Sequence, residues 1–505
     1  MQPDLVLGID SSTQSTKAIA WTFDGVAVAE GRAPVPMASP RATWFEQDPG
    51  DWWAATTAAV RQLWEHVDPR RIAGVAIANQ RETLGFLGAD DEPVRPALVW
   101  LDERGRETLP GVVAALGADA IHRLTGKPPD LTPALYRIAW VRDHEPEIYR
   151  RIARFVEVHA YLTSRLTGRR ATSWCSADPI GLFEIEAKRW SPAILEHLRI
   201  TPSQLPEVVA PGTPLGGVTE PAAAATGLFA GTPVFAGGGD GQCAGVGTGS
   251  VTVGHGYLNL GTALVAGVWS AQPVTALDWR TLTSATGTGY VLETVQRTGT
   301  FLLDWLVRNV AGRTGPHAHA ELEAEAAQIP IGSDGLLTLP TWSGAMDPHW
   351  DSDASGCFVG LGSSHGIAHM FRSITEGLTL EFSRGLAAMT RAGVQVDEIV
   401  VIGGGARSRL WTQMVADATG HRVCLRDVIE ASALGAGMVA AHGAGWYPTI
   451  EAASAGMGGA SRTVVPDPAA TARYRDLLAI HGTLYDSNKA LFAKLAQFKA
   501  ASRVG

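Results

Sequence analysis

Short apolar runs that stop abruptly at polar residues recur along the chain, and they divide it into strand-and-turn phrases. Residues 5–9 are apolar and end at Asp10; a small polar stretch follows, and a second β-like run covers 18–23. Two such runs joined by hydroxyl residues and Lys17 predict a hairpin. The phrase is written again at 251–260 and 264–269, with Gly261, Thr262 and Ala263 as its turn. One architecture thus occurs twice, with the boundary between the copies near Val251. Further apolar runs at 72–78, 234–236 and 399–402 predict strands, and each leads into polar or glycine-rich residues: Asn79-Gln80-Arg81-Glu82, the three glycines before Asp240, and Gly403 to Gly405.

Helical patterns fill the intervals. Asp48 and Pro49 before a run of helix formers read as an N-cap and first helical position. Helices are also predicted over 124–147, 158–167 and 365–389, and from near Ser408. The small-residue segment 431–445 is expected to form a helix packed against the one that starts at Ser408. The whole reads as an α/β chain.

Composition narrows the partners. A chain of 505 residues exceeds one hydrophobic core, so two large domains, or three, are expected. Its 46% hydrophobic and 18% charged residues are ordinary for a globular protein, and a net charge of -9 without basic blocks argues against nucleic acid or an anionic membrane surface. Four scattered cysteines form no metal or redox motif, and the N-terminus has no basic, apolar leader pattern, so a cytoplasmic protein is expected.

Candidate chemistry sits where the apolar runs end. Glycine lets backbone approach a ligand closely, so three glycines before Asp240 form a floor with one acid on it; the alternative is an Asp that caps the next helix. The first hairpin offers N–H groups, hydroxyls and Lys17 to a phosphate, and Asp10 could hold a hydrated Mg²⁺. Arg81 and Glu82 supply donors and an acceptor suited to a polyhydroxylated substrate, or else pair with each other at the surface. Trp100 and Asp102 end a further predicted strand. Gly403 to Gly405 before a helix could receive an anion or nucleotide, although their spacing is neither a dinucleotide fingerprint nor a phosphate loop with Lys-Ser or Lys-Thr.

Taken in this order, the motifs resemble the FGGY family of carbohydrate kinases and, through it, the actin, hexokinase and Hsp70 fold class. The resemblance runs from LVLGIDSSTQSTK to the LGAGMVAA segment. It implies two domains of ribonuclease H-like fold, residues 1–250 and 251–505, with an ATP cleft between them. It also implies that Thr13, Gln14, Ser15, Lys17, Gly261 and Thr262 line the phosphates, that Asp10 serves Mg²⁺, and that Gly404, Gly405 and Arg409 border the adenosine. Asp240 takes the part of general base, and Arg81, Glu82, Trp100, Asp102, Thr132, Asp240 and Gln242 surround the acceptor. Arg137 stands where the family usually has lysine, and Thr375 where a large apolar residue is usual.

WFEQDPGDWW and HEPEIYRRI are similar to xylulokinases, whereas NQRET is the glycerol-kinase form. Thr132 aligns with a tyrosine of glycerol kinases and leaves room for a longer acceptor, which favours D-xylulose; glycerol, erythritol, ribitol and ribulose stay open. Expected partners are a small sugar or polyol and a possible second copy of the chain. The rival class is a non-catalytic actin-like ATP-binding protein.

Overall fold

Two mixed sheets of matching topology form the frame of the computed structural model, which describes residues 3–426 and 430–501. The first contains β1 (Leu5–Ser11), β2 (Ser15–Trp21), β3 (Ala27–Pro34), β4 (Ile72–Asn79) and β5 (Pro233–Gly239), with Pro214–Gly217 on one edge. β1, β2 and β3 run as an antiparallel meander, and β4 and β5 lie parallel to β1. The second contains β6 (Gly254–Leu260), β7 (Leu264–Ser270), β8 (Arg280–Thr283), β9 (Tyr290–Gln296), β10 (Val396–Ile402) and β11 (Arg422–Arg426). Here β6, β7 and β9 form the meander, and β10 and β11 run parallel to β6 and β10. The repeated phrase in the sequence is therefore a repeated sheet.

Both faces of each sheet are covered, which is why β1 reads as a continuous apolar run and is buried throughout. On one face of the first sheet lie α1 (Pro49–Gln62) and α2 (Val158–Thr167), with Trp52, Val60 and Leu162 packed against Leu5, Leu7 and Ile9. Asp48 caps α1 by accepting from the Gly50 N–H, as its position before Pro49 predicts. The second sheet is backed by α4 (Ile367–Arg391) and α5 (Arg409–Thr419), whose Leu378, Phe382 and Trp411 pack against Leu258, Val401 and their neighbours. Thr375 is buried within α4, where its hydroxyl donates to the Phe371 carbonyl and needs no other partner.

Two further helices cross between the sheets: α3 (Asp240–Thr248) and α6 (Ala431–Gly443). They touch backbone to backbone, since a Cβ on Gly435 would lie 1.9 Å from the Cys243 carbonyl oxygen. The strands of the first sheet all precede residue 251, yet α6 comes from far beyond it and lies on that sheet; a Cβ on Gly8 of β1 would meet the Ala433 carbonyl at 1.9 Å. This corrects the expectation that segment 431–445 packs against the helix from Ser408. Its small residues serve the approach to α3 and β1 instead.

A smaller five-stranded sheet extends the first lobe: Ala38–Arg41, Trp44–Gln47, Pro93–Leu98, Leu84–Leu87 and Arg154–Glu157. Its strand ends carry the residues around Glu82 and Trp100 toward the interlobe cleft.

Candidate active site

The parallel strands of the first sheet end side by side. Ser11 of β1 is in register with Asn79 of β4, and Asn79 with Gly239 of β5. Ligands in such sheets bind outside the carboxyl ends of the strands, and Asp10, Arg81 and Asp240 all lie at that edge. Asp240 is the first residue of α3, with Gly239 in the cap position. Its carboxylate accepts from the Gly241 N–H at 2.7 Å and pairs with Arg81 Nε at 3.0 Å, while 37% of the side chain stays exposed. The surrounding protein pushes its pKa above the usual carboxylate range against the pull of Arg81. A positioned carboxylate with raised basicity and an open side is suited to accept a hydroxyl proton.

Asp10 faces Asp240. Burial and the Asp240 charge raise it to about 7, opposed by a hydrogen bond from Ser12 at 2.8 Å. Its other oxygen, Oδ1, is buried without a hydrogen-bond partner. An orphaned carboxylate oxygen opposite a second acid fits a cation, and among the described residues there is no larger His/Cys/Asp/Glu group that could hold one. That donor set matches Mg²⁺, which keeps several waters and takes one or two carboxylates.

Behind Asp240 runs a buried chain of alternating charge that joins the lobes. Arg81 Nη1 donates to Glu293 of β9 at 2.7 Å; Glu293 also pairs with Arg280 of β8, and Arg280 Nη1 reaches Glu82 at 2.8 Å. Burial would raise Glu293, but Arg81 and Arg280 outweigh it and hold the carboxyl below its ordinary value. Glu82 goes the other way, raised by burial despite Arg280. Its φ of 58° lies in the left-handed region, a strained setting for a residue with a Cβ. Arg81 and Glu82 are thus interlobe ion-pair partners, neither a surface pair nor free groups. Arg280 and Glu293 were not found by the sequence reading.

The wall expected to face the acceptor is organised by Arg137. Its buried guanidinium donates to the carbonyls of Glu82, Leu131 and Thr132 at 2.6, 2.9 and 3.1 Å, pinning two loops together. Thr132 and Trp100 line an interlobe cleft of about 770 Å³, whose opposite wall includes Ala263, Val295 and Arg297. The Thr132 hydroxyl is turned to Asp130. The Trp100 indole donates to the Thr13 hydroxyl at 2.9 Å, which ties the acceptor side to the first hairpin. Gln242 is buried on α3, where it donates to the Cys175 carbonyl and leaves Oε1 without a partner.

Asp102 lines the same cleft. Its carboxylate is buried and taken up by the Arg104 guanidinium, the Arg104 N–H and the Phe45 N–H, the last at 2.7 Å.

Where the sequence predicts phosphate contacts, Thr13, Gln14 and Ser15 form the accessible turn between β1 and β2, closed by the Ser12 N–H to the Ser15 carbonyl at 3.0 Å. Lys17 is paired with Glu430, which comes from the other end of the chain just before α6. Gly261 and the exposed Thr262 form the corresponding turn between β6 and β7. Gly403 has φ 87°, Gly404 opens to empty space, and Arg409 is exposed at the start of α5. Gly405 is buried, and a Cβ there would meet Leu260 and Trp411 at 2.8 Å.

Family models for the N-terminal and C-terminal domains of the FGGY carbohydrate kinases match residues 5–247 and 256–444. The xylulose kinase of Bacillus subtilis is 29% identical over 98% of this chain and 99% of its own length. That of Escherichia coli is 30% identical over 84% of this chain and 86% of its own. The crystal structure of xylulose kinase from Rhodospirillum rubrum superposes with a TM-score of 0.90 at 28% identity, covering 97% of this chain and 100% of that one. The likeness to Plasmodium falciparum glycerol kinase with ADP, TM-score 0.84 at 20% identity over 94% of this chain and 97% of that one, is one of fold. With both halves matched, and a geometry that sets an accessible acid between two like sheets, the chain belongs to the FGGY family of carbohydrate kinases.

Proposed function

We propose that this kinase transfers the γ-phosphoryl group of ATP to the terminal hydroxyl of a pentulose, D-xylulose, giving the 5-phosphate. The observation that carries this reading is Asp240, exposed on one side, raised in basicity and fixed by Arg81 at the carboxyl edge of the first sheet. The carboxylate takes the proton of the attacking hydroxyl as that oxygen bonds to the γ-phosphorus and the bond from the phosphorus to the β,γ-bridging oxygen breaks, with ADP as the leaving group. Arg81 keeps the base oriented and is itself held by Glu293. Asp10 would hold Mg²⁺, which when bound neutralises charge on the phosphates. The hairpin turns at Thr13–Ser15 and Gly261–Thr262 would approach the phosphates from opposite lobes, and Gly404 and Arg409 would border the nucleoside. Phosphoryl transfer depends mainly on positioning and charge neutralisation, so this short set suffices. The same reading places the enzyme in the cytoplasm, where ATP is supplied; among the described residues no helix is long and apolar enough to cross a membrane.

Two things favour a five-carbon ketose over glycerol: the full-length similarity to xylulose kinases and the small side chain at Thr132 on the cleft wall. The NQRET stretch, similar to that of glycerol kinases, favours a polyol as the second reading. An ADP-release assay over pentuloses, glycerol, erythritol and ribitol decides between them. Thr132→Tyr is expected to lower kcat/KM for xylulose and to spare glycerol. Wild-type preference for glycerol over every pentulose, or equal losses in the variant, would overturn the pentulose assignment.

A further inference from the structure

A second cavity lies in the first lobe among α1, α2, the strand pair Leu84–Leu87 and Arg154–Glu157, and the helix Glu220–Thr226. Its volume is about 470 Å³, within the roughly 300–1,000 Å³ of small-molecule sites. None of the residues assigned above to acceptor, nucleotide or metal lines it. The walls combine an apolar floor, including Trp53, Phe155 and Pro206, with three guanidinium groups, Arg154, Arg165 and Arg170, against a single carboxylate, Asp91.

That carboxylate is shared. Arg154 and Arg170 both pair with Asp91, the latter at 3.0 Å. Arg165 is the third cation, placed 6.0 Å from the Trp53 ring centroid and 5.7 Å from that of Tyr161. A cation beside an aromatic wall, in a cavity with two more cations than anions, selects a ligand with a flat apolar body and a negative charge.

The elements that wall the cavity also run to the active site. Leu87 and Arg154 stand opposite each other at the cavity end of their strand pair; at the other end Leu84 stands opposite Glu157, two residues from Glu82. On α2, Ser164 and Arg165 line the cavity, while His159 near the start accepts a hydrogen bond from the Gly237 N–H at 3.0 Å, in the strand that ends before Asp240. Two rigid elements therefore join this cavity to the segments that carry Arg81 and Asp240.

We propose that this cavity is an effector site for an aromatic or similarly flat organic anion, coupled through α2 and the Leu84–Leu87 strand to the acceptor cleft. The probe is 8-anilinonaphthalene-1-sulfonate, titrated by fluorescence into the full chain with ADP and acceptor saturating, so that the cleft is filled. The structure predicts one site, weakened at least about tenfold by Arg165→Glu and by Ala225→Trp, which fills the cavity from its rim. The uncharged analogue N-phenyl-1-naphthylamine should bind at least about tenfold more weakly than the sulfonate. Binding of the sulfonate should also shift the acceptor KM by about fivefold in wild type and leave it unmoved in Ala225→Trp. No binding, or binding equal in wild type and both variants, would overturn the site. Binding lost in the variants but without any effect on KM in wild type would overturn its coupling to the cleft.

Discussion

The two lobes share a strand plan and differ in what stands at the strand ends. In the first, β1 carries Asp10 near its end, β4 runs into Arg81 and Glu82, and β5 runs into Asp240. In the second, β6 ends before Gly261 and β10 before Gly403, glycine turns without an acid. The second lobe sends its charged groups from the other side of its sheet: Arg280 on β8 and Glu293 on β9, which reach across to Glu82 and Arg81. A duplicated fold supplies two equivalent edges, and side chains then divide the labour, with acid chemistry on one and close backbone approach on the other.

Removing the second lobe's contribution should do the most damage to the fold. Arg280→Ala leaves Glu82 buried without its cation and deprives Glu293 of one of two; breaking such a buried pair costs about 3–5 kcal/mol. Urea unfolding should show that loss, with a fall in kcat beyond it as Glu82 and Arg81 lose their alignment. Unchanged stability would mean the lobes do not depend on this chain of charges.

A pH measurement sharpens the first-lobe side. Glu157 caps α2 and is fully enclosed; burial raises it to about 7, opposed by the Thr172 hydroxyl. A carboxyl whose folded pKa lies above its unfolded value binds more protons in the native state. Stability therefore falls as pH rises from the ordinary carboxylate range to about 7, by about 3 kcal/mol at most, and is flat outside that window. Glu157→Gln should make the fall shallower and leave the share of Asp10, also raised to about 7, which melting temperatures from pH 5 to 8 would reveal.

The second-lobe glycines offer a finer contrast. Gly405→Val should cost about 1–3 kcal/mol by overpacking against Leu260 and Trp411, whereas Gly404→Ala, which meets open space, should leave stability unchanged. Equal effects on melting would remove the distinction between core and cleft at this turn.

Local grammar was legible in the sequence wherever one element decides the outcome. The hairpin at β1 and β2, the Asp48 cap and the 158–167 helix all follow from neighbouring residues. Interlobe partners were not, because Arg81 and Glu293 stand 212 positions apart and share no motif. The Asp102 ion pair escaped for a related reason: an acid at a strand end looks available, while Arg104 two residues on pairs with it. The docking of α6 on β1 depends on glycines in both elements and emerges only when the chain closes on itself.

The central claim is that Asp240 is the base, and Asp240→Asn tests it most directly. The amide keeps the shape but cannot take the hydroxyl proton, so kcat for the preferred sugar should fall about 10²- to 10⁴-fold while ADP affinity, measured by calorimetry, stays within about twofold. Turnover within about tenfold of wild type, with ADP binding intact, would contradict the account.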